Sequence, residues 1–133
     1  MKIVAVEPIG ISQERAKQLA EIYAQKGHQF VVYPDRKEDA PTLIERMQGA
    51  EVVIVSNIPL RKEVLQECKD LKFLNVAFTG LDHIDQDYCK ENNILFFGLE
   101  TKNNVYSIIK NNFKIKFNHI DCIISTGGFV SMP

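Results

Sequence analysis

Five short apolar runs, separated by four segments with helical patterning, constrain the fold of this chain more than any other feature. The runs are rich in Val, Ile and Phe and cover residues 2–6, 29–33, 51–55, 73–78 and 94–97. Apolar runs of this length are typical of strands that are buried on both faces of a sheet. Short strands that alternate with helices favour right-handed crossovers between parallel neighbours. We therefore predict an α/β fold, a flavodoxin-like, doubly wound, five-stranded parallel sheet.

The residues that bound the helical segments agree with this pattern. Asp39 and Pro41 are a typical N-cap and first-turn pair for the second helix. A third helix is expected over residues 61–68, because apolar residues recur there at helical spacing. Either Asp82 or Asp85 can cap the fourth helix.

The last part of the chain differs in composition from this α/β unit. Residues 98–133 are dominated by Asn, Ile, Lys and Phe, whereas Ala, Glu and Gln nearly vanish. We therefore interpret residues 1–97 as a flavodoxin-like domain and residues 98–133 as a divergent, atypical C-terminal tail. Apolar residues at helical spacing could form one face within the tail: Val105, Ile108, Ile109 and Phe113.

Composition and charge exclude several classes of protein. The chain has 133 residues, a net charge of −1 and a pI of about 6.3, so it has no basic field to hold nucleic acid or an anionic membrane. No apolar run is long enough to span a bilayer. The three cysteines, Cys68, Cys89 and Cys122, have no zinc-binding spacing and are odd in number. We expect reduced thiols, a cytoplasmic location and no metal.

The segment LKFLNVAFTGLDHID, residues 71–85, carries the strongest candidate for a binding site. A buried strand ends there in Thr79 and Gly80, which leaves backbone N–H groups facing outward. Ligands of open parallel sheets bind outside the carboxyl ends of the strands, and free N–H groups there suit a carboxylate. Ser56 and Asn57 follow the third strand at the same edge. The alternatives without a ligand are purely structural. Thr79 and Gly80 could form a tight turn, and Ser56 and Asn57 could cap a helix or form an Asx-turn.

A metal site at His83 and two other classes of flavodoxin-like protein agree less well with the sequence. His83 lies among Asp82, Asp85 and Asp87, which is compatible with a metal site, but caps and turns explain these acids better. A receiver domain would need an Asp after the third strand, where Ser56 stands. A flavin-binding flavodoxin would need a hydroxyl-rich loop after the first strand, and the residues there are Glu-Pro-Ile-Gly.

The order and spacing of these segments resemble a known enzyme family. Residues 71–85, followed by a helix and by ENNI before a strand, resemble the substrate-binding domain of the D-isomer-specific 2-hydroxyacid dehydrogenases. That family has an LK pair, an apolar strand and a G-x-D-[NH]-[IV]-D turn. The segment VVIVSNIPLRKEVLQEC resembles the family's upstream strand, polar loop and helix. The resemblance covers residues 1–97 and implies a flavodoxin-like fold.

The resemblance implies a substrate site but no catalytic residue. In the family this lobe binds the 2-oxo or 2-hydroxy acid, and a Rossmann lobe holds NAD and supplies the catalytic Arg, Glu and His. By matching positions, Thr79 and Gly80 would grip the substrate carboxylate through the backbone. Ser56 and Asn57 would line the cleft.

The chain departs from the family after the fifth strand, where the tail replaces the expected crossover to the Rossmann lobe. It contains no G-x-G-x-x-G between a strand and a helix. We therefore expect no cofactor in this chain, inactivity of the chain alone, and a truncated or frame-shifted gene product. The alternative is a non-enzymatic carboxylate-binding or protein-interaction module. A homodimer through the surface left by the missing lobe is also possible.

Overall fold

A computed structural model describes residues 1–78 and 80–98, which form five strands and four helices. The strands are β1 (Lys2–Ala5), β2 (Gln29–Val32), β3 (Val52–Val55), β4 (Phe73–Val76) and β5 (Leu95–Gly98). The helices are α1 (Gln13–Gln25), α2 (Ala40–Met47), α3 (Lys62–Leu65) and α4 (Gln86–Glu91). Thr79 and the predicted tail, with its apolar residues, lie outside the described residues, apart from Gly98 at the end of β5.

All neighbouring strands are parallel, in the order β2-β1-β3-β4-β5. This is the flavodoxin-like order, in which the direction of winding reverses between β1 and β3. The register aligns Val4 with Val53 and Val53 with Leu74, so the middle three strands place apolar side chains in rows. The predicted fold class is confirmed.

Alternate residues of each strand enter two apolar cores, one on either face of the sheet. One core holds Val4, Val53 and Leu74, and it packs against the buried side chains of α2, α3 and α4. The other holds Ile3, Ile54 and Phe73 together with Leu19 and Tyr23 of α1. Burial on both faces explains why the strands are continuous apolar runs and do not alternate with polar residues.

Side-chain caps set where most of the helices begin. Ser12 accepts a hydrogen bond from the Arg15 N–H, and Asp39 accepts one from the Thr42 N–H. Of the two candidates for α4, Asp85 is the cap, because its Oδ1 accepts from the Tyr88 N–H at 3.0 Å.

The third helix is shorter than the predicted span of residues 61–68. It ends at Leu65, and bonds three residues apart follow, from the Glu67 N–H to the Val64 carbonyl and from the Cys68 N–H to the Leu65 carbonyl. Such bonds tighten the last turn of a helix and end it. Cys68 and Cys89 are buried free thiols.

Among the described residues, no helix combines the length and the hydropathy that a membrane span requires. The fold instead brings the loops after β1, β3 and β4 to one edge of the sheet, where their strands end.

Candidate functional site

The loops that follow β3 and β4 lie side by side at the carboxyl edge of the sheet. Leu60 and Ile84 form an isolated parallel bridge between them. The Leu60 N–H donates to the His83 carbonyl at 2.8 Å, and the Asp85 N–H donates to the Leu60 carbonyl at 3.0 Å. The two segments that carry the predicted site residues are therefore joined by backbone hydrogen bonds.

The amides of Ser56 and Asn57 are already engaged within the protein. Both donate to Oε1 of Glu7, at 2.6 Å from Ser56 and 3.1 Å from Asn57, and the Ile58 amide lies at 3.4 Å from the same oxygen. Ser56 is half-buried, and Asn57 is exposed. The structure thus brings both residues to the expected edge, with their backbone donors turned toward an internal carboxylate.

Arg36 completes this cluster. Its Nη1 donates to Oε2 of Glu7 at 2.8 Å and also to Oδ1 of Asn57. Its Nε and Nη2 donate to Oε1 of Glu38 at 2.8 and 2.6 Å. These contacts, with the Glu38 hydrogen bond as the largest cause and the Glu7 charge in addition, raise the pKa of the guanidinium.

The turn after β4 has backbone N–H groups that differ from those of Ser56 and Asn57, because they have no acceptor among the described residues. The N–H groups of Gly80, Leu81 and Asp82 donate no hydrogen bond within residues 1–78 and 80–98. Gly80 and Leu81 are half-buried, and Asp82 is exposed. Apart from its chain neighbours, no atom of residues 1–78 and 80–98 would lie within 4 Å of a Cβ placed on Gly80, so these residues leave open space beside it. Three successive N–H groups beside open space can donate hydrogen bonds to a bound anion.

Several contacts hold this turn in place. The Leu81 carbonyl accepts from the Ile84 N–H at 3.1 Å and from Nε2 of Gln86 at 3.2 Å. Nη1 of Arg61 donates to the Asp82 carbonyl at 3.3 Å. A Cβ on Gly98 would lie 2.8 Å from Cδ2 of Leu81, so a side chain at Gly98 would displace Leu81. The absence of a side chain at the end of β5 therefore allows the turn to pack there.

His83 is an ionisable residue that directly follows Asp82 at the turn. Its ring meets Phe78 edge-on, with centroids 5.9 Å apart, and its Nε2 is buried without a hydrogen-bond partner among the described residues. Burial lowers the pKa of the imidazole, and a backbone contact with Ser56 and the charge of Glu7 oppose this shift. His83 is therefore neutral at neutral pH.

The proximity of His83 to the three acids does not produce a metal site in the part of the chain that is described. Residues 1–78 and 80–98 contain no group of three His, Cys, Asp or Glu side chains that could hold a metal ion. Asp85 serves as the cap of α4, as the capping explanation predicts.

A separate groove of about 450 Å³ lies between α1, β2 and the loop after β1. Its walls include Ile9, Ile11 and Phe30, and Lys17 is the cation on its lining. None of Ser56, Asn57 and Gly80 lines it, so it is distinct from the candidate site.

Two charged residues of the site, Glu7 and Arg36, were not predicted from the sequence to lie at this edge of the sheet. Glu7 was considered only as a mismatch to other folds, and Arg36 was not considered. One signal could have revealed Glu7, because it directly follows the apolar run KIVAV, where a parallel strand delivers its next side chain to the binding edge. No comparable signal marks Arg36, which lies in the loop after β2.

These features together define a flavodoxin-like α/β domain whose β4–α4 turn is suited to an anion. Residues 3–105 match the family model described as D-isomer specific 2-hydroxyacid dehydrogenase, catalytic domain. The chain belongs to the D-isomer-specific 2-hydroxyacid dehydrogenase family, as its sequence motifs indicate.

Individual relatives agree with the family assignment. The chain is 38% identical over 52 residues to a glycerate dehydrogenase of Methylorubrum extorquens, a match covering 39% of this chain and 17% of that protein. It is 31% identical over 87 residues to a formate dehydrogenase of Candida boidinii, covering 62% of this chain and 24% of that protein. The chain therefore matches a quarter or less of the length of these curated relatives.

A solved structure supports the fold assignment. The NAD⁺-bound 3-phosphoglycerate dehydrogenase of Entamoeba histolytica superposes with a TM-score of 0.60 and 28% identity. The superposition covers 72% of this chain and 32% of that one.

Proposed function

We propose that this chain is a substrate-binding lobe that holds the carboxylate of a small 2-oxo or 2-hydroxy acid at the turn between β4 and α4. The proposal is supported by the N–H groups of Gly80, Leu81 and Asp82, which have no acceptor in the described part of the chain, and by the space that this part leaves open beside Gly80. Thr79 belongs to the proposed site by its position in the family motif.

The chemistry of the turn supports a carboxylate as the ligand. Successive backbone N–H groups form concavities that bind anions, and hydrogen bonds to an ionised acceptor are about twice as strong as neutral ones. The relatives are named for small carboxylates, among them glycerate and formate. Arg61, which binds the Asp82 carbonyl, adds a positive charge beside the turn.

In this proposal Ser56 and Asn57 line the cleft, as the family resemblance implies. Their amides bond to Glu7, so only their side chains are available to line the cleft. Asn57 Oδ1 is held by Arg36, which fixes the orientation of the Asn57 side chain. We propose that this amide contacts the part of the acid that lies away from the carboxylate.

The described residues do not fit a nicotinamide dinucleotide. The turn after β1, where such a fold binds pyrophosphate, consists of Glu-Pro-Ile-Gly, and the Glu7 carboxylate is buried there. A buried carboxylate would repel pyrophosphate. We therefore assign this lobe binding and orientation only, and we propose that hydride transfer in the family reaction depends on a separate coenzyme domain.

Binding without catalysis is the second candidate function. The Phe78 ring is 42% exposed at the end of β4, next to the proposed turn. Aromatic residues are enriched at protein–protein interfaces relative to the rest of the surface. In this alternative the cleft and Phe78 form a carboxylate-binding or protein-interaction module with no role in catalysis.

Thermal unfolding with small acids tests carboxylate binding. We expect glyoxylate and pyruvate at millimolar concentrations to raise the Tm saturably, because bound ligand stabilises the folded state. Pyruvamide, which lacks the carboxylate, is the ligand control and should have no effect.

The variant Gly80→Ala is the matched protein control. Its new methyl group meets no atom within 4 Å among the described residues other than its chain neighbours, so its free energy of unfolding should stay within about 0.5 kcal/mol of wild type. The methyl group would occupy part of the space in which the acid is proposed to lie, so the Tm increase caused by the acids should be smaller than in wild type. An equal response of wild type and Gly80→Ala, or none in wild type, contradicts the proposal.

A further inference from the structure

The carboxylate of Glu7 is buried and fully hydrogen-bonded, although it lies at the edge of the sheet where ligands bind in this fold. Glu7 is only 3% exposed to solvent. One oxygen accepts from the three consecutive amides of residues 56–58, and the other accepts from Arg36. Burying a carboxylate is costly unless every oxygen finds donors, and Glu7 meets that condition.

The three amides after β3 form the same kind of donor set that a ligand carboxylate would need. They are consecutive, they converge on one oxygen, and a cation lies on the far side of the carboxyl group. A concavity of successive N–H groups with an Arg nearby is a general anion site. In this protein the anion is a side chain of the same chain.

The turn after β4 differs in this respect. Its amides at Gly80, Leu81 and Asp82 have no acceptor within residues 1–78 and 80–98. The two sets of amides belong to neighbouring strands, since β3 and β4 pair directly. A small carboxylate that approaches this edge therefore meets one occupied set and one free set.

We propose that Glu7 is a positioning residue that acts as a built-in carboxylate. It occupies the amides of residues 56–58, with Arg36 as its counter-ion, and thereby directs a ligand carboxylate to the turn at Gly80. The same ion pair orients Asn57 through Arg36. The occupancy of the amides stands on the geometry alone, whereas the direction of the ligand rests on the proposed function.

The proposal implies that removing the Glu7 carboxyl group creates a second anion site. Glu7→Ala removes the Cγ methylene and the carboxylate, and acetate supplies a carboxylate on one carbon, so it matches the lost group in size and charge. We expect acetate to bind to the amides of residues 56–58 in this variant. In wild type it should not bind there.

Amide chemical shifts measured by ¹H–¹⁵N NMR during an acetate titration at constant ionic strength test this directly. In Glu7→Ala, the resonances of Ser56, Asn57 and Ile58 should shift saturably, with half-saturation at a concentration at least tenfold below any response in wild type. Glu38→Ala is the matched control, because it removes the other carboxylate partner of Arg36 and leaves the amides occupied. Its Ser56 resonance should not respond.

Three results overturn the proposal. One is a wild-type Ser56–Ile58 response to acetate, and another is an absence of response in folded Glu7→Ala. If Glu7→Ala does not fold, Glu7→Gln retains the shape of the side chain. Its neutral oxygen accepts a weaker bond, so the Ser56 N–H resonance should move upfield from its wild-type position. An unchanged Ser56 shift is the third contradicting result.

These outcomes are separable from failure of the proposed function. If 2-oxo acids do not stabilise wild type but acetate binds to Glu7→Ala, the turn at Gly80 is not a carboxylate site and the occupancy by Glu7 stands. If 2-oxo acids stabilise wild type but acetate leaves Glu7→Ala unaffected, carboxylate binding at the turn stands. The proposal that Glu7 occupies an anion site then fails.

Discussion

At the scale of single residues, the hydrogen-bond partner of a backbone amide decides whether that amide can donate to a ligand. Ser56 and Gly80 both follow a parallel strand at the same edge. The amide of Ser56 is bonded to Glu7, and the amide of Gly80 has no acceptor among the described residues. This difference agrees with the roles that the family resemblance implies, in which the backbone at Gly80 grips the carboxylate and Ser56 lines the cleft.

His83 leads to a prediction about pH. Burial lowers the pKa of its imidazole below the ordinary value of 6.5, so the folded state binds a proton less readily than the unfolded chain. The stability contributed by neutral His83 is fully present above pH 6.5 and is lost as the pH falls through 6.5 toward the folded pKa. Urea unfolding at pH 7 and pH 5 should show a smaller loss of stability in His83→Gln than in wild type.

The difference between the two proteins isolates His83, because the carboxylates that titrate in this range are common to both. An equal loss of stability in wild type and His83→Gln would contradict the lowered pKa.

At the scale of elements, Arg46 joins α2 to the ends of two strands. The residue is buried, and its Nη1 donates to the carbonyls of Val6 and Asp35, both at 2.8 Å. Its Nη2 bonds to Oδ1 of Asp35 at 2.7 Å, and the guanidinium lies 4.4 Å from the centroid of the Tyr33 ring. The loops after β1 and β2 are therefore fixed by one side chain.

Replacement of Arg46 by Met tests this arrangement. The variant keeps apolar volume but leaves the Val6 carbonyl without its donor, so we expect the free energy of unfolding to fall by about 2–3 kcal/mol. Arg15→Met is the control, because Arg15 is exposed and, among the described residues, its side chain bonds only to Gln18, so its effect should stay within about 0.5 kcal/mol. Chemical denaturation measures both, and comparable losses would refute the role of Arg46.

The elements themselves could be predicted from the sequence because local signals fix them. Apolar runs marked all five strands, and the cap of α2 at Asp39 was correct. The end of α3 was placed too late, because Val64, Leu65 and Cys68 keep helical spacing although the hydrogen bonds change after Leu65. Apolar periodicity records burial and does not record which backbone bond is made.

The candidate site was only partly predictable, for a similar reason. The positions of Ser56, Asn57 and Gly80 at one edge follow from parallel topology. The bonds of Glu7 to amides about 50 residues away, and of Arg36 to Glu7 and Asn57, are contacts between distant loops. No local pattern in the sequence specifies such pairs.

At the scale of the whole molecule, the described residues form an α/β domain, and residues 3–105 match the catalytic-domain model of the family. The matched relatives are several times longer than the match, and the proposed reaction needs a coenzyme domain. A cytoplasmic location, the divergence of residues 98–133 and truncation of the gene product stay predictions.

The 133-residue chain should not bind NADH by itself. The reason is the absence of a G-x-G-x-x-G turn from its sequence and the buried Glu7 carboxylate after β1. Titration with NADH, followed by nucleotide fluorescence, should show no saturation up to about 1 mM, which corresponds to a binding free energy weaker than about −4 kcal/mol. Saturable binding at micromolar concentrations would contradict this prediction.

The association state distinguishes the proposed uses of the lobe. If the chain forms the proposed homodimer, size-exclusion chromatography with light scattering should give twice the mass of one 133-residue chain. The mass of a single chain would contradict the homodimer.

The central claim is that the β4–α4 turn, and not the loop after β3, receives the carboxylate of a small 2-oxo acid. A ¹H–¹⁵N NMR titration of the wild-type chain with pyruvate tests it residue by residue. We predict saturable shifts of the amides of Gly80, Leu81 and Asp82, with those of Ser56 and Asn57 unchanged. Saturable shifts at Ser56 and Asn57 without shifts at Gly80, or no saturable shift at either loop, would contradict the account.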